Sequence, residues 1–136
     1  MPGTADLFRA GLKCLTAGDL VGSLDLFSED VDYEFPFAPA GRPGRVSGRG
    51  NLRKYLEPIF ARAVYENLSD LNVYETDVDG TIVAEMTIVL RFLENDRVLS
   101  LRYIVVVHSA DGRIDSYRDY WNPLAMSAPA DAAKPV

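Results

Sequence analysis

TIVAEMTIVLRFLENDRVLSLRYIVVVHSADGRIDSYRDYWN, residues 81–122, decides the architecture of this 136-residue chain. Its apolar residues recur at every second position, the period of an extended strand. Ile82, Ala84, Met86, Ile88, Leu90 and Phe92 form one unbroken apolar row, with Val83, Glu85, Thr87, Val89 and Arg91 on the other side. ENDR at 94–97 and ADGR at 110–113 interrupt the pattern with turn-forming residues. Three strands are therefore predicted, over 81–93, 97–108 and 113–122, with a shorter one at about 71–77 before the turn DVDG. Strands this long, joined by tight turns, make an antiparallel sheet whose twist accumulates into a curl.

Upstream, the period changes to that of a helix. Thr4 is a candidate N-cap, followed by Leu7, Phe8, Leu12 and Leu15 at helical spacing. Gly18 can end that helix in a left-handed turn and Asp19 can cap a second, short one carrying Leu20, Val21, Leu24 and Phe27. VDYEFPF at 31–37 alternates and reads as a half-buried strand, with Pro36 marking an edge or an end. The Gly-, Pro- and Arg-rich 38–50 reads as loop, and Leu52, Tyr55, Leu56, Ile59, Phe60 and Ala63 make a third helix in which Pro58 predicts a kink or an early break. The expected fold is α+β: three N-terminal helices packed on a strongly curved, mainly antiparallel sheet, forming a cone with an internal cavity. Residues 1–125 are expected to form one domain, with 126–136 a flexible tail.

Composition narrows the function. The net charge of −6 argues against nucleic acid as a partner, whose binders usually show a basic face, and disfavours a strongly anionic substrate or an acidic membrane surface. Cys14 is alone, which leaves no internal disulfide and no thiolate zinc cluster. MPGTADLFRAGLK lacks the pattern of a secretory signal, and YIVVV at 103–107 is too short to span a bilayer, so a cytoplasmic location is expected.

The cavity's lining follows from strand parity. Glu85 is expected to point outward, and the row containing Met86 and Ile88 to form the apolar concave wall. On strand 97–108, Leu99, Leu101, Tyr103, Val105 and Val107 alternate with Ser100, Arg102, Ile104, Val106 and His108. Arg102 and Tyr103 cannot both point inward without a bulge. An apolar outer face would serve a homodimer. On the last strand, Tyr117, Asp119 and Trp121 share one face, and hiding Arg118 on the other is the costlier choice. Pattern alone leaves two readings of Asp119: inward among aromatics, or at the surface paired with Arg118 or Arg102.

GDLVGSLDLFSEDVDYEFPF, VSGRGNLRKYL and ADGRIDSYRDYWNPL, in that order, resemble the ketosteroid isomerase-like superfamily with its nuclear transport factor 2-like cone. Ungapped matching puts Phe35, Gly11 and Ile104 where ketosteroid isomerases carry their base, oxyanion-hole tyrosine and protonated acid, so that mechanism lacks all three of its groups. The last-strand carboxylate Asp119 in YRDYW instead resembles the acid of SnoaL-like polyketide cyclases, of limonene-epoxide-hydrolase-like enzymes and of the phenazine-biosynthesis A/B type, where the acid is Glu; YRDYWNPL looks most like that last type and its SnoaL-like relatives. AEMTIVL at 84–90 lacks the Arg–x–Asp of the epoxide hydrolases, which argues against direct epoxide hydrolysis. The resemblance implies that Asp119 faces the cavity.

An inward Asp119 would be a general acid/base needing no metal and no organic cofactor. It would cyclise or isomerise a hydrophobic, polyketide-like, carbonyl- or epoxide-bearing molecule. Tyr33 is the candidate oxyanion donor, or else a core tyrosine bonded to backbone. His108 could relay a proton, or be a solvated strand end. Phe35, Phe37, Tyr55, Met86, Ile88, Arg102, Ile104, Tyr117 and Trp121 are the candidate substrate contacts. Arg42, Arg45 and Arg49 could hold an acidic substrate group at the mouth. The alternatives are a ligand-binding protein without turnover, an epoxide-hydrolase-like enzyme, and an assembly module with a vestigial cavity.

Overall fold

The computed structural model describes residues 2–127. Helix α1 (Thr4–Ala17) leads into α2 (Leu20–Leu24), β1 (Phe27–Glu34), β2 (Arg45–Ser47) and α3 (Arg49–Arg62). Strands β3 (Ala63–Glu75), β4 (Thr81–Phe92), β5 (Val98–Ala110) and β6 (Arg113–Trp121) follow, then α4 (Pro123–Ser127). The sheet has six strands in the order β2-β1-β6-β5-β4-β3. All neighbours are antiparallel except β1 and β6, so the sheet is mixed, and its two edges do not pair to close it. No helix of the described residues is long and apolar enough to cross a membrane.

Local chemistry explains most boundaries. Gly18 ends α1 with φ 69°, and the Asp19 carboxylate accepts from the Gly22 amide at the start of α2. Thr4 is not the cap expected of it: Gly3 holds that position, and the Thr4 hydroxyl donates to the Gly80 carbonyl at 2.7 Å and bonds Ser109 Oγ at 2.5 Å. That hydroxyl ties α1 to the β3–β4 turn and to β5. In the β5–β6 turn, Asp111 and Gly112 both take positive φ (53° and 76°), as a two-residue I′ hairpin demands. In VSGRG, Gly48 takes φ 88° and donates to the Val31 carbonyl, while the Arg49 guanidinium donates to the Phe27 carbonyl.

Several boundaries depart from expectation, and Phe27, expected on the second helix, instead opens β1, which ends at Glu34 rather than at 37. The third helix does not break at Pro58 but runs on to Arg62, whose carbonyl accepts from the Leu93 amide. Part of the predicted loop forms β2, because Arg45–Ser47 pairs with Asp32–Glu34. Strand β3 begins at Ala63, eight residues before the predicted start, and follows β4 through two bulges. Of the expected tail, residues 126 and 127 lie in α4, and 128–136 lie outside the described residues.

The concave face is the dry one. Ile82, Ala84, Met86 and Ile88 join Leu7, Phe8 and Leu12 of α1 and Leu52 of α3 in the main core, while Leu90 packs with Ala63, Leu99 and Leu101. Glu85 points the other way and accepts from the Tyr74 hydroxyl at 2.9 Å. Leu52, fully buried, is the residue through which α3 holds to the sheet. Leu52→Ala is expected to destabilise the fold by about 3 kcal/mol, read as a lower urea midpoint at unchanged slope.

Candidate active site

Two cavities meet inside the curled sheet. The larger, about 300 Å³, is lined by Phe35, Arg42, Tyr55, Arg62, Leu90, Phe92, Leu101 and Trp121 among others. The smaller, about 110 Å³, reaches inward among Phe8, Leu12, Leu15, Phe27, Met86, Ile88, Ile114 and Tyr117. Tyr33, Leu56, Tyr65, Tyr103 and Asp119 line both. Among the described residues, Asp119 is therefore the one carboxylate at the junction of an apolar inner chamber and a more polar outer one.

A bulge puts it there. On β6, Ile114 is buried, so uninterrupted alternation would also turn 116, 118 and 120 inward. Between the pairs Ser109↔Ile114 and His108↔Ser116 the register shifts, leaving Asp115 as the extra residue. Beyond it the phase is inverted and Tyr117, Asp119 and Trp121 face the cavities. The His108 ring lies at this bulge, with Nδ1 2.6 Å from Asp115 Oδ1.

Asp119 is 7% exposed and its Oδ1 is buried with no hydrogen-bond partner among the described residues. Burial alone, with no neighbouring cation to oppose it, raises its pKa from 3.8 to about 7. Around it stands a tyrosine cage. Tyr33 and Tyr117, paired in register across parallel β1 and β6, stack at 4.5 Å with an 8° interplanar angle. Burial pushes the hydroxyls of Tyr33, Tyr65, Tyr103 and Tyr117 above their usual range, and the charge of Asp119 adds to each shift. For Tyr55, burial raises the pKa while the Arg42 charge pulls it down. At neutral pH these hydroxyls all stay protonated, so they are hydrogen-bond donors.

Nine of the sequence-derived candidates converge here: Asp119, Tyr33, Phe35, Tyr55, Met86, Ile88, Tyr117 and Trp121 by direct lining, and Arg42 at the outer chamber. Four do not. Arg102 and Ile104 lie on the outer face of β5, where Arg102 reaches Thr87 and Asp70. Tyr103 takes the inward position, which settles the choice left open between the two neighbours. Phe37 is exposed, its ring edge-on to Tyr120 on the outside of β6. His108 shares the outer parity of Arg102 and is engaged by Asp115, away from both cavities. Arg45 and Arg49 pair with acids of β1 and line neither chamber.

Tyr65, Arg62 and Leu56 were missed. Tyr65 fell in a stretch assigned to no element, since its neighbours carry no clean alternation. Leu90 and Phe92 were legible, because they continue the row of Met86 and Ile88.

A family model for the SnoaL-like domain matches residues 8–117. YesE of Bacillus subtilis (strain 168) is 32% identical over 121 residues, covering 89% of this chain and 82% of its own length. The uncharacterised PhzA/B-like protein PA3332 of Pseudomonas aeruginosa is 33% identical over 113 residues, with 83% and 79% covered. A solved Bacillus subtilis structure, provisionally assigned as an isomerase, superposes with a TM-score of 0.84 at 29% identity, covering 89% of this chain and 87% of that one.

Proposed function

The chain belongs to the SnoaL-like domain family, and on that premise we propose that it is a cofactor-independent isomerase or cyclase acting on a hydrophobic, carbonyl- or epoxide-bearing small molecule. The observation that carries this reading is the dry, unpartnered carboxylate of Asp119 at the meeting point of two cavities. A carboxyl group with a pKa of about 7 exists in both forms near neutrality, so it can take a proton in one step and return it in the next.

The proposed sequence starts with the ionised Asp119 removing a proton from carbon next to a substrate carbonyl. The electron pair moves onto the carbonyl oxygen, and a tyrosine hydroxyl lining the same cavity donates to that oxygen. Tyr33 is the proposed donor, held in place by its stack on Tyr117. In an isomerisation the neutral Asp119 returns its proton to another carbon. In a ring closure the enolate carbon attacks a second carbonyl, and the resulting alkoxide takes that proton. Apolar walls keep bulk water from quenching the enolate. Tyr33→Phe is expected to lower kcat by ~10- to 100-fold with KM nearly unchanged, checked by steady-state kinetics. A homodimer through the outer sheet face, where Ile104 is 43% exposed, belongs to the same proposal.

The reading is tested by incubating the protein in D2O with a panel of hydrophobic ketones and following exchange of their α-protons by NMR. Catalysed exchange of a bound ketone supports it. Ketones that bind but exchange only at the buffer rate would instead identify a binding protein without turnover.

A further inference from the structure

The outer chamber carries a charge that the reaction above does not use. Among the arginines, Arg45, Arg49, Arg53, Arg91 and Arg102 each reach an acid: Asp32 and Glu34, Glu29, Glu57, Glu66 and Asp96, and Asp70 respectively. The two that line the cavity, Arg42 and Arg62, make no ion pair among the described residues. The chain has 20 acidic residues against 14 basic ones, yet this one chamber wall brings two guanidinium groups together without an ion pair among the described residues. Among the described residues, Asp119 is the only acid on that wall.

Arg42 is also held in place. Its guanidinium carbon lies 5.8 Å from the centroid of Trp121, over the ring face. An aromatic face orients a guanidinium without neutralising it or occupying its N–H donors. The charge is felt inside the chamber, since it opposes the effect of burial on the Tyr55 hydroxyl. At the opposite end, the described residues of the inner chamber beyond Asp119 are apolar apart from Ser23 and the tyrosine hydroxyls.

We infer that the substrate is an amphipathic carboxylate: its anionic group lies in the outer chamber against Arg42, with Arg62 the second cation, and its apolar body extends past Asp119 into the inner chamber. The inference rests on the cavity being the substrate site, and it adds the substrate's charge and orientation. An uncharged hydrophobic molecule would fill the inner chamber equally well and leave the two cations unmatched. The planar fork of Arg42 suits the two oxygens of a carboxylate.

The test compares 2-naphthoate with 2-naphthamide, which share a shape and differ in charge, by titration calorimetry at pH 8. It is run in the Asp119→Asn protein, so that repulsion between carboxylates does not enter. Naphthoate is expected to bind ~10-fold more tightly than naphthamide. Arg42→Gln should bring that ratio close to one and Arg62→Gln should reduce it, while naphthamide affinity moves by less than ~3-fold. Both arginines are exposed, so these variants are expected to fold. If the two probes bind alike, or the ratio survives both substitutions, the carboxylate inference is overturned and the cavity reading stands. If neither probe binds, both fall together.

Discussion

Replacing Asp119 with asparagine is expected to lower kcat by ~10³-fold or more while ligand affinity stays within ~3-fold. Asparagine keeps the size and much of the polarity of the side chain but cannot accept a proton from carbon. The near-invariance of affinity follows from position, because the contact area of a ligand comes from the apolar walls and not from this one group. In the wild type, proton abstraction requires the ionised form. Turnover should therefore rise ~10-fold per pH unit below about 7 and level off above it. An asparagine variant that kept a tenth of wild-type turnover, or a rate flat across pH 5–8, would remove Asp119 from the mechanism.

The same burial makes stability depend on pH. In the unfolded chain Asp119 ionises near the ordinary aspartate value of 3.8, whereas in the folded protein it stays neutral until about pH 7. Between those values the folded state holds a proton that the unfolded state has released, so stability falls as pH rises. The loss is ~1.4 kcal/mol per pH unit, ~4 kcal/mol in all from this group, complete above about pH 7 and absent below about 3.8. Other carboxylates contribute with the opposite sign where they are ion-paired. The asparagine variant isolates the effect, because it carries all of them and lacks only this one. Urea unfolding of both proteins at a series of pH values should show the variant's advantage growing by up to ~4 kcal/mol from pH 4 to pH 8. An advantage that did not change with pH would mean that Asp119 is hydrated in the folded state. The residue proposed to do the chemistry is thus also a source of instability, as expected where function requires a desolvated acid.

Much of this was legible because it is local. The row from Ile82 to Phe92 is periodic over a whole strand, and its burial on the concave side needed no other information. Gly18, Asp19, Asp111 and Gly112 announce their turns through backbone preferences that act within a few residues. What escaped was non-local. Thr4 resembles a helix cap in isolation, but Gly80 and Ser109, distant in sequence, claim its hydroxyl. Residues 45–47 look like loop until β1 offers them a pairing edge. Pro58 predicts a break in a free helix, but the helix is anchored on both sides of it, by Leu52 in the core and by Arg62 against the β4–β5 turn.

For the site the division is sharper. The sequence by itself determined that a curled sheet would carry an apolar concave wall, and that a carboxylate would sit among aromatics near the end of the last strand. It did not determine which face that carboxylate takes. Alternation within a strand is a property of the chain, but its phase can be reset by one extra residue, and only the pairing of β5 with β6 places that residue at Asp115. The same is true of the cage: Tyr33 meets Tyr117 through a parallel pairing of strands far apart in sequence, and Tyr65 arrives on an edge strand. Burial of one oxygen in a cavity is set by every element around it, so no local pattern could have shown that Asp119 would be dry.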